Sequence, residues 1–205
     1  DTGPDTGRDI GPDRGRRDAI IAAAPELASR AARALARGWL DEAAADARRV
    51  PLRALGAAVR ETGHDPGRLA ERFGVEPGVI FRRLAALPEA EAGPLGVVIC
   101  DGSGTLVFRR PLDGFALPRF GAGCPLWPLY QALARPAVPI RARIAIAGRA
   151  ARRYLAYAIC EPRYPDGFGG VAVMRAYMLI LPDDTAPAAL PPGAVMTVGT
   201  GCRIC

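Results

Sequence analysis

Lysine and asparagine are absent from this 205-residue sequence, and histidine occurs once. A single histidine, His64, cannot build a His-Glu-x-x-His helix, in which two histidines one turn apart hold zinc, so metalloprotease chemistry is excluded. No apolar run approaches the roughly 18 residues a membrane span needs. No signal-peptide pattern is found either, and a cytoplasmic chain without a membrane partner is expected. The lysine gap excludes less: all 27 basic residues are arginine, the usage of a GC-rich genome. A formal net charge of +6 favours polyanions such as DNA or a phosphorylated cofactor, but no docking element singles one out.

What is present suffices for one good-sized domain with a helical extension. Half the residues are hydrophobic, many of them alanine. Five cysteines, an odd number in a chain read as cytosolic, argue for ligation or unlinked thiols over a disulfide framework. Residues 1–15, rich in Gly, Pro and Asp, cannot bury enough surface to order themselves and read as a disordered linker. Residues 16–88 form a helical segment. Ile20, Ile21, Leu27, Leu35, Trp39 and Leu40 recur at helical intervals, with a start or kink at Pro25 and a break at Gly38.

Three shorter helices are expected over 51–87. Pro51 opens the first and Gly63 closes it, while Asp65 and Pro66 form an N-cap and first position for the second. Leu69-Ala70-Glu71-Arg72-Phe73-Gly74-Val75, followed by Val79, Ile80 and Leu84, fits a helix-turn-helix with Arg82 and Arg83 facing DNA. It fits a packed helical corner equally well. His64, in the turn before Asp65, reads as a solvated loop residue.

Residues 89–205 change to β-branched and aromatic runs separated by Gly and Pro. Gly96–Cys100 and 105–108 flank Asp101-Gly102-Ser103-Gly104 and read as a hairpin. That tetrad lacks the spacing and closing glutamate of a calcium loop. A helix over 126–134 and strands over 142–147, 154–160 and 171–181 follow. The expected fold class is α+β: helices, then an antiparallel sheet with a packed helix, of the PAS or GAF sort.

Cys100 and Cys160 close the apolar runs VVIC and YLAYAIC and read as buried structural thiols. Cys124 differs. It lies in Arg119-Phe120-Gly121-Ala122-Gly123-Cys124-Pro125-Leu126-Trp127, where glycines let the backbone curl closely and Pro125 stiffens the exit. Some eighty residues later come Gly201-Cys202-Arg203-Ile204-Cys205. Cys124, Cys202 and Cys205 are three thiolates a fold can bring together, and zinc or an iron–sulfur cluster wants four soft ligands. The site therefore reads as incomplete. A packed thiol, a zinc-stabilised binding module, and a Cys-dependent oxidoreductase or hydrolase using Cys124 or the Cys202/Cys205 pair stay open.

The runs RFGAGCPLWPLYQALARP and VGTGCRIC resemble the C-terminal sensor domain of the short-chain fatty acyl-CoA transcriptional regulators. These are XRE-type bacterial proteins with an N-terminal helix-turn-helix and a degenerate ImmA/IrrE-like middle region. LAERFGVEPGVIFRRLAAL resembles the helices preceding that module, which favours the corner reading. The resemblance covers roughly residues 50–205 and departs from the family in lacking a further cysteine after Cys205, so the chain reads as truncated at both ends. It implies a non-enzymatic sensor of acetate- or propionate-type metabolism, with an iron–sulfur cluster, [4Fe–4S] ahead of zinc, on Cys124, Cys202 and Cys205. It further implies a short-chain acyl-CoA as ligand, DNA contact through a helix-turn-helix absent from this chain, and a homodimer as one admissible assembly. The acyl-CoA needs cations and an apolar slot. Arg119, Phe120 and Trp127 are the chosen contacts. Arg109, Arg110, Arg152, Arg153 and Arg163 are further cations, and Tyr130, Tyr154, Tyr157 and Phe168 further apolar candidates.

Overall fold

The computed structural model describes residues 14–118, 122–147, 152–185 and 194–199. Most of the expected linker, together with Arg119, Phe120, Cys202 and Cys205, lies outside the described residues. Helices α1 (Arg14–Ala22), α2 (Arg30–Arg49), α3 (Leu52–Thr62), α4 (Pro66–Phe73), α5 (Pro77–Ala86) and α6 (Glu89–Ala92) come first. Strands β1 (Gly96–Asp101) and β2 (Leu106–Arg110), helix α7 (Pro128–Leu133), and strands β3 (Ile140–Ile146), β4 (Arg153–Arg163), β5 (Val173–Pro182) and β6 (Val195–Val198) follow. The fold is mixed α+β, as expected. No described helix is long and apolar enough to cross a membrane.

Local chemistry sets the helix ends. Ser29 caps α2 by accepting the Ala32 N–H at 3.0 Å, and Asp65 caps α4 through the Gly67 and Arg68 amides at 2.9 and 3.3 Å. Gly74 adopts the left-handed conformation that turns α4 into α5. Gly38, expected to break a helix, lies inside the unbroken 20-residue α2. One glycine costs about 1 kcal/mol relative to alanine, which the alanine-rich neighbours and the docked end of α2 outweigh. His64 also departs from expectation. It is half-buried, and its Nε2 donates to the Ala92 carbonyl at 2.6 Å, tying the α3–α4 turn to α6; a carbonyl only accepts, so Nε2 carries the proton.

The sheet has the order β2-β1-β5-β4-β3-β6, antiparallel except for the parallel pair β3–β6. Its central strands are covered on both sides. Val97, Ile99, Leu155, Tyr157, Tyr177, Leu179 and Leu181 pack with α3, α4 and α5. Val98, Cys100, Ala156, Ala158, Cys160, Ala176, Met178 and Ile180 pack with α7 and the loop before it. Strands buried on two faces read as continuous apolar runs, which is why GVVIC, YLAYAIC and YMLIL carry no polar alternation. In the β1–β2 turn, Asp101 accepts from the Ser103 and Thr105 amides, a hairpin closure and no calcium loop.

The supposed DNA-reading helix is internal. In α5, Gly78, Val79, Ile80, Phe81, Arg83 and Leu84 are buried. Arg83 donates to the Val50 carbonyl at 2.8 Å. Arg82 grips Asp46 of α2 through Nε (2.6 Å) and Nη2 (3.0 Å), and its Nη1 donates to the Tyr177 hydroxyl at 2.8 Å. Beside this pair, Glu42 of α2 accepts from Arg163 at 2.5 Å and from Arg175 at 2.9 and 2.7 Å, with Arg82 at 3.5 Å. Burial alone raises the Glu42 pKa, but Arg82, Arg175 and Arg163 together hold it below the ordinary glutamate value. On β4, burial outweighs the other influences on Glu161 and pushes its pKa up, although its carboxylate accepts the Gly78 amide at 2.7 Å.

Two outcomes follow from this network. Asp46→Ala leaves the Arg82 guanidinium buried without its bidentate partner, and urea unfolding should record a loss of about 3–5 kcal/mol. Glu42 is more acidic folded than unfolded, so the stability it contributes is fully present above the unfolded glutamate value and is lost as pH falls through the lower folded one. Unfolding free energies measured from pH 6 down to pH 3 should therefore fall more steeply in the native sequence than in Glu42→Gln.

Candidate functional site

The segment before α7 is a tight construction around Cys124. The Trp127 N–H donates to the Cys124 carbonyl at 2.9 Å, closing a turn with Pro125 at its second position, where a fixed φ favours it. Trp127 then precedes Pro128, the first residue of α7. The Trp127 side chain is fully buried and packs against Phe115 (5.5 Å between ring centroids) and Tyr130 (6.5 Å). Gly123 lies against this indole so closely that a Cβ there would meet the ring at 2.4 Å. No larger residue fits without moving Trp127. The Gly123 N–H donates to the Tyr130 hydroxyl at 2.8 Å, and that hydroxyl donates to the Gly104 carbonyl at 3.2 Å, so the loop is pinned to the β1–β2 turn.

The far end of the chain reaches the same place. β6 runs beside β3 in register, with Ile146 opposite Val198, and the Ala147 N–H extends the ladder to the Val198 carbonyl at 2.8 Å. This delivers Gly199 to the cysteine loop, where both its peptide groups are used. The Gly199 N–H donates to Cys124 Sγ at 3.3 Å, and its carbonyl accepts from Trp127 Nε1 at 2.8 Å. Cys124 is fully buried. The Gly199 amide contact ties the β6 end of the chain to the cysteine loop at its sulfur. Cys202 follows Gly199 by three residues and, with Cys205, lies outside the described residues. Among the described residues, no three His, Cys, Asp or Glu side chains gather to hold a metal ion.

The other cysteines sit as expected, buried on the α7 side of the sheet. Burial pushes the Cys100 thiol up to about 12 and raises Cys160 as well, which keeps both protonated and unreactive. The arginines named in the sequence scatter. Arg110 donates to the carbonyls of Leu84, Ala85 and Leu87 at the end of α5, Arg163 serves Glu42, and Arg152 reaches the Asp113 carbonyl at 3.4 Å from an exposed position. The aromatic candidates divide between layers: Trp127, Tyr130 and Tyr154 lie with α7, while Tyr157 faces α3–α5. Strand alternation separates Tyr154 from Tyr157. Sequence reasoning missed the role of Gly199 and the Glu42–Asp46–arginine network, because each joins residues far apart in the chain. The glycine run ahead of Cys202 was the single hint for the first.

Comparison with known proteins finds relatives over most of the chain. The family model for the C-terminal domain of the short-chain fatty acyl coenzyme A regulators matches residues 86–205, which includes every strand and the cysteine loop. A propionyl-CoA carboxylase regulator of Cereibacter sphaeroides is 31% identical over 185 residues, 85% of this chain and 39% of the relative. The HTH-type transcriptional regulator PrpR of Mycobacterium tuberculosis is 28% identical over 197 residues, 90% of this chain and 40% of the relative. A solved Mycobacterium tuberculosis transcriptional regulator superposes with a TM-score of 0.70 at 26% identity, over 93% of this chain and 60% of that one. The chain thus spans about two fifths of the curated relatives, all of them named as regulators of transcription or metabolism and none as an enzyme. On the match across its sheet, its cysteine loop and its last residues, the chain belongs to the short-chain fatty acyl coenzyme A regulator family.

Proposed function

We propose that this chain is the ligand-sensing part of a transcriptional regulator of short-chain fatty acid metabolism, with no catalytic role of its own. In this reading it responds to a short-chain acyl-CoA and carries an iron–sulfur cluster on Cys124, Cys202 and Cys205, in the manner of a PAS- or GAF-like module. The observation that supports it is the Gly199 amide on Cys124 Sγ, which brings the chain to within three residues of Cys202 at a buried, glycine-bounded thiol. A cluster would supply redox and oxygen sensitivity. The chain's own residues do the rest: Trp127 and Tyr130 hold the loop, and Gly123 admits the indole. Arg119 and Phe120, flanking that loop in sequence, are assigned to the acyl-CoA, with Trp127 shaping the loop that carries them. DNA contact is assigned to parts of the relatives that this chain does not match, because Arg82 and Arg83 are committed inside the fold. The names of the relatives, a propionyl-CoA carboxylase regulator among them, support the metabolic assignment.

With three thiolates the chain itself should hold a cluster poorly; anaerobic reconstitution with iron and sulfide of a version extended past Cys205 should give a brown protein whose visible absorbance bleaches on reduction, and Cys124→Ser should abolish the colour. Colourless protein holding one zinc would favour a zinc-stabilised module; no metal under either condition would remove the metal reading. For the ligand, propionyl-CoA should raise the melting temperature by mass action. Arg119→Ala should weaken that binding by about 1–3 kcal/mol in calorimetry, through a lost contact to a charged group. No shift with any short acyl-CoA at saturation would defeat the sensor assignment.

A further inference from the structure

On the opposite side of the sheet from Cys124, α2 meets the strands through Trp39 on Phe108 and Glu42 on Arg175, and beside these contacts it leaves a gap. The gap is a cavity of about 250 Å³, whose walls are Trp39, Ala43, Ala85, Ile99 and Phe108. Its polar end is formed by Glu42, Asp46, Arg82 and Arg83. The cavity is held open by committed groups. Trp39 lies between the Phe108 ring at 6.2 Å and the Arg175 guanidinium at 5.5 Å, while Arg82 is fixed by both Asp46 oxygens and the Tyr177 hydroxyl. Alanines at 43 and 85 leave the space that longer side chains would fill.

At that polar end sits an aliphatic carboxylate already in place. The Glu42 carboxylate receives Arg163 and Arg175 at hydrogen-bond distance and Arg82 at 3.5 Å, with its side chain 16% exposed. Three guanidiniums converge on one carboxyl; Glu42 and Arg82 also line the apolar cavity, while Arg163 and Arg175 reach the carboxyl from outside its lining, and together these features match a short alkyl chain ending in a carboxylate. Such a carboxylate would take the place of Glu42, with its alkyl chain in the cavity.

We propose that this is a binding site for free short-chain aliphatic carboxylates, occupied at rest by Glu42 as an internal competitor. The inference goes beyond the acyl-CoA and cluster reading and does not depend on it: the site uses other residues on another face and needs no metal. Because Glu42 is tethered beside the arginines, a free carboxylate competes against a high local concentration and binds weakly until Glu42 is withdrawn. Withdrawal of Glu42 also loosens one of the two acidic holds of α2 on the body, so occupancy changes how α2 is seated.

The test is titration of the 205-residue protein with sodium acetate, butyrate and hexanoate against sodium chloride at equal ionic strength, followed by calorimetry and by tryptophan fluorescence, to which Trp39 reports. Hexanoate should bind in the millimolar range and more tightly than acetate. Glu42→Gln should bind it at least tenfold more tightly, and Ala43→Leu should erase the preference for longer chains while preserving the melting temperature. Should Glu42→Gln fail to fold, Glu42→Asp keeps the charge but retreats by one methylene, and it should tighten binding in the same direction. Equal response to chloride and hexanoate, no tightening in a folded Glu42 variant, or undiminished chain-length preference in Ala43→Leu would each overturn the proposal. Acyl-CoA binding unchanged by these variants leaves the sensor assignment untouched.

Discussion

Strands β1, β5 and β4 have no face to give to water. Val97, Ile99, Tyr177, Leu179 and Leu155 are taken by the helices, and Val98, Cys100, Met178, Ile180 and Ala156 by α7 and its loop. A one-residue slip of any central strand would exchange two hydrophobic sets of different shape, so register is held from both sides at once. The rest of the chain is placed by that double coverage. The helices before β1 must form a layer broad enough for one face, and the long connection between β2 and β3 must fold back over the other. The cysteine loop is therefore part of the core before it is anything else, which is why Cys124 and Trp127 are fully buried.

Charge does a different job on each side. On the helical side, carboxylates of α2 meet arginines of α5, β4 and β5 that are 36 to 133 residues away in sequence. Pairs buried this deeply add little net stability over apolar packing, but they are costly to break and admit one arrangement. They position α2 without filling the space beneath it. Around the cysteine loop the long-range ties are neutral: amides, carbonyls, a tyrosine hydroxyl and a thiol. The thiol among them, Cys124, takes the Gly199 amide from the far end of the chain, whereas burial pushes the Cys100 thiol up to about 12.

Elements with their own local chemistry were legible in the sequence. Asp65-Pro66 and Gly74 act through neighbours two to four residues away, so that cap and corner could be read directly, whereas Ser29 caps α2 four residues after the expected start at Pro25. The apolar runs of β1, β4 and β5 announced strands covered on two sides. β6 was not legible, because a four-residue strand after Pro-Pro-Gly has too short a period and is ordered only by β3. The corner over 66–87 was ambiguous for a physical reason: a recognition helix and a packed helix share one periodicity, and burial of Arg83 with pairing of Arg82 separates them. Of the candidate site, the cysteine loop and its glycines could be read in advance. Gly199 on the sulfur and Glu42 among three arginines could not, since no local rule links residues that far apart.

The two borders of the sheet differ in a way that bears on how copies of this domain meet. β6 covers one border with four residues, too short to template a long partner strand. The other border, β2, exposes Val107 but ends in Arg109 and Arg110, and Arg110 is drawn inward onto the end of α5. Charged residues on a rim discourage the backbone-to-backbone joining that makes open sheets grow from molecule to molecule. Sheet extension is thus disfavoured at both borders among the described strands. Joining of copies edge to edge is therefore less favourable at these two borders than it would be along long, uncharged edge strands.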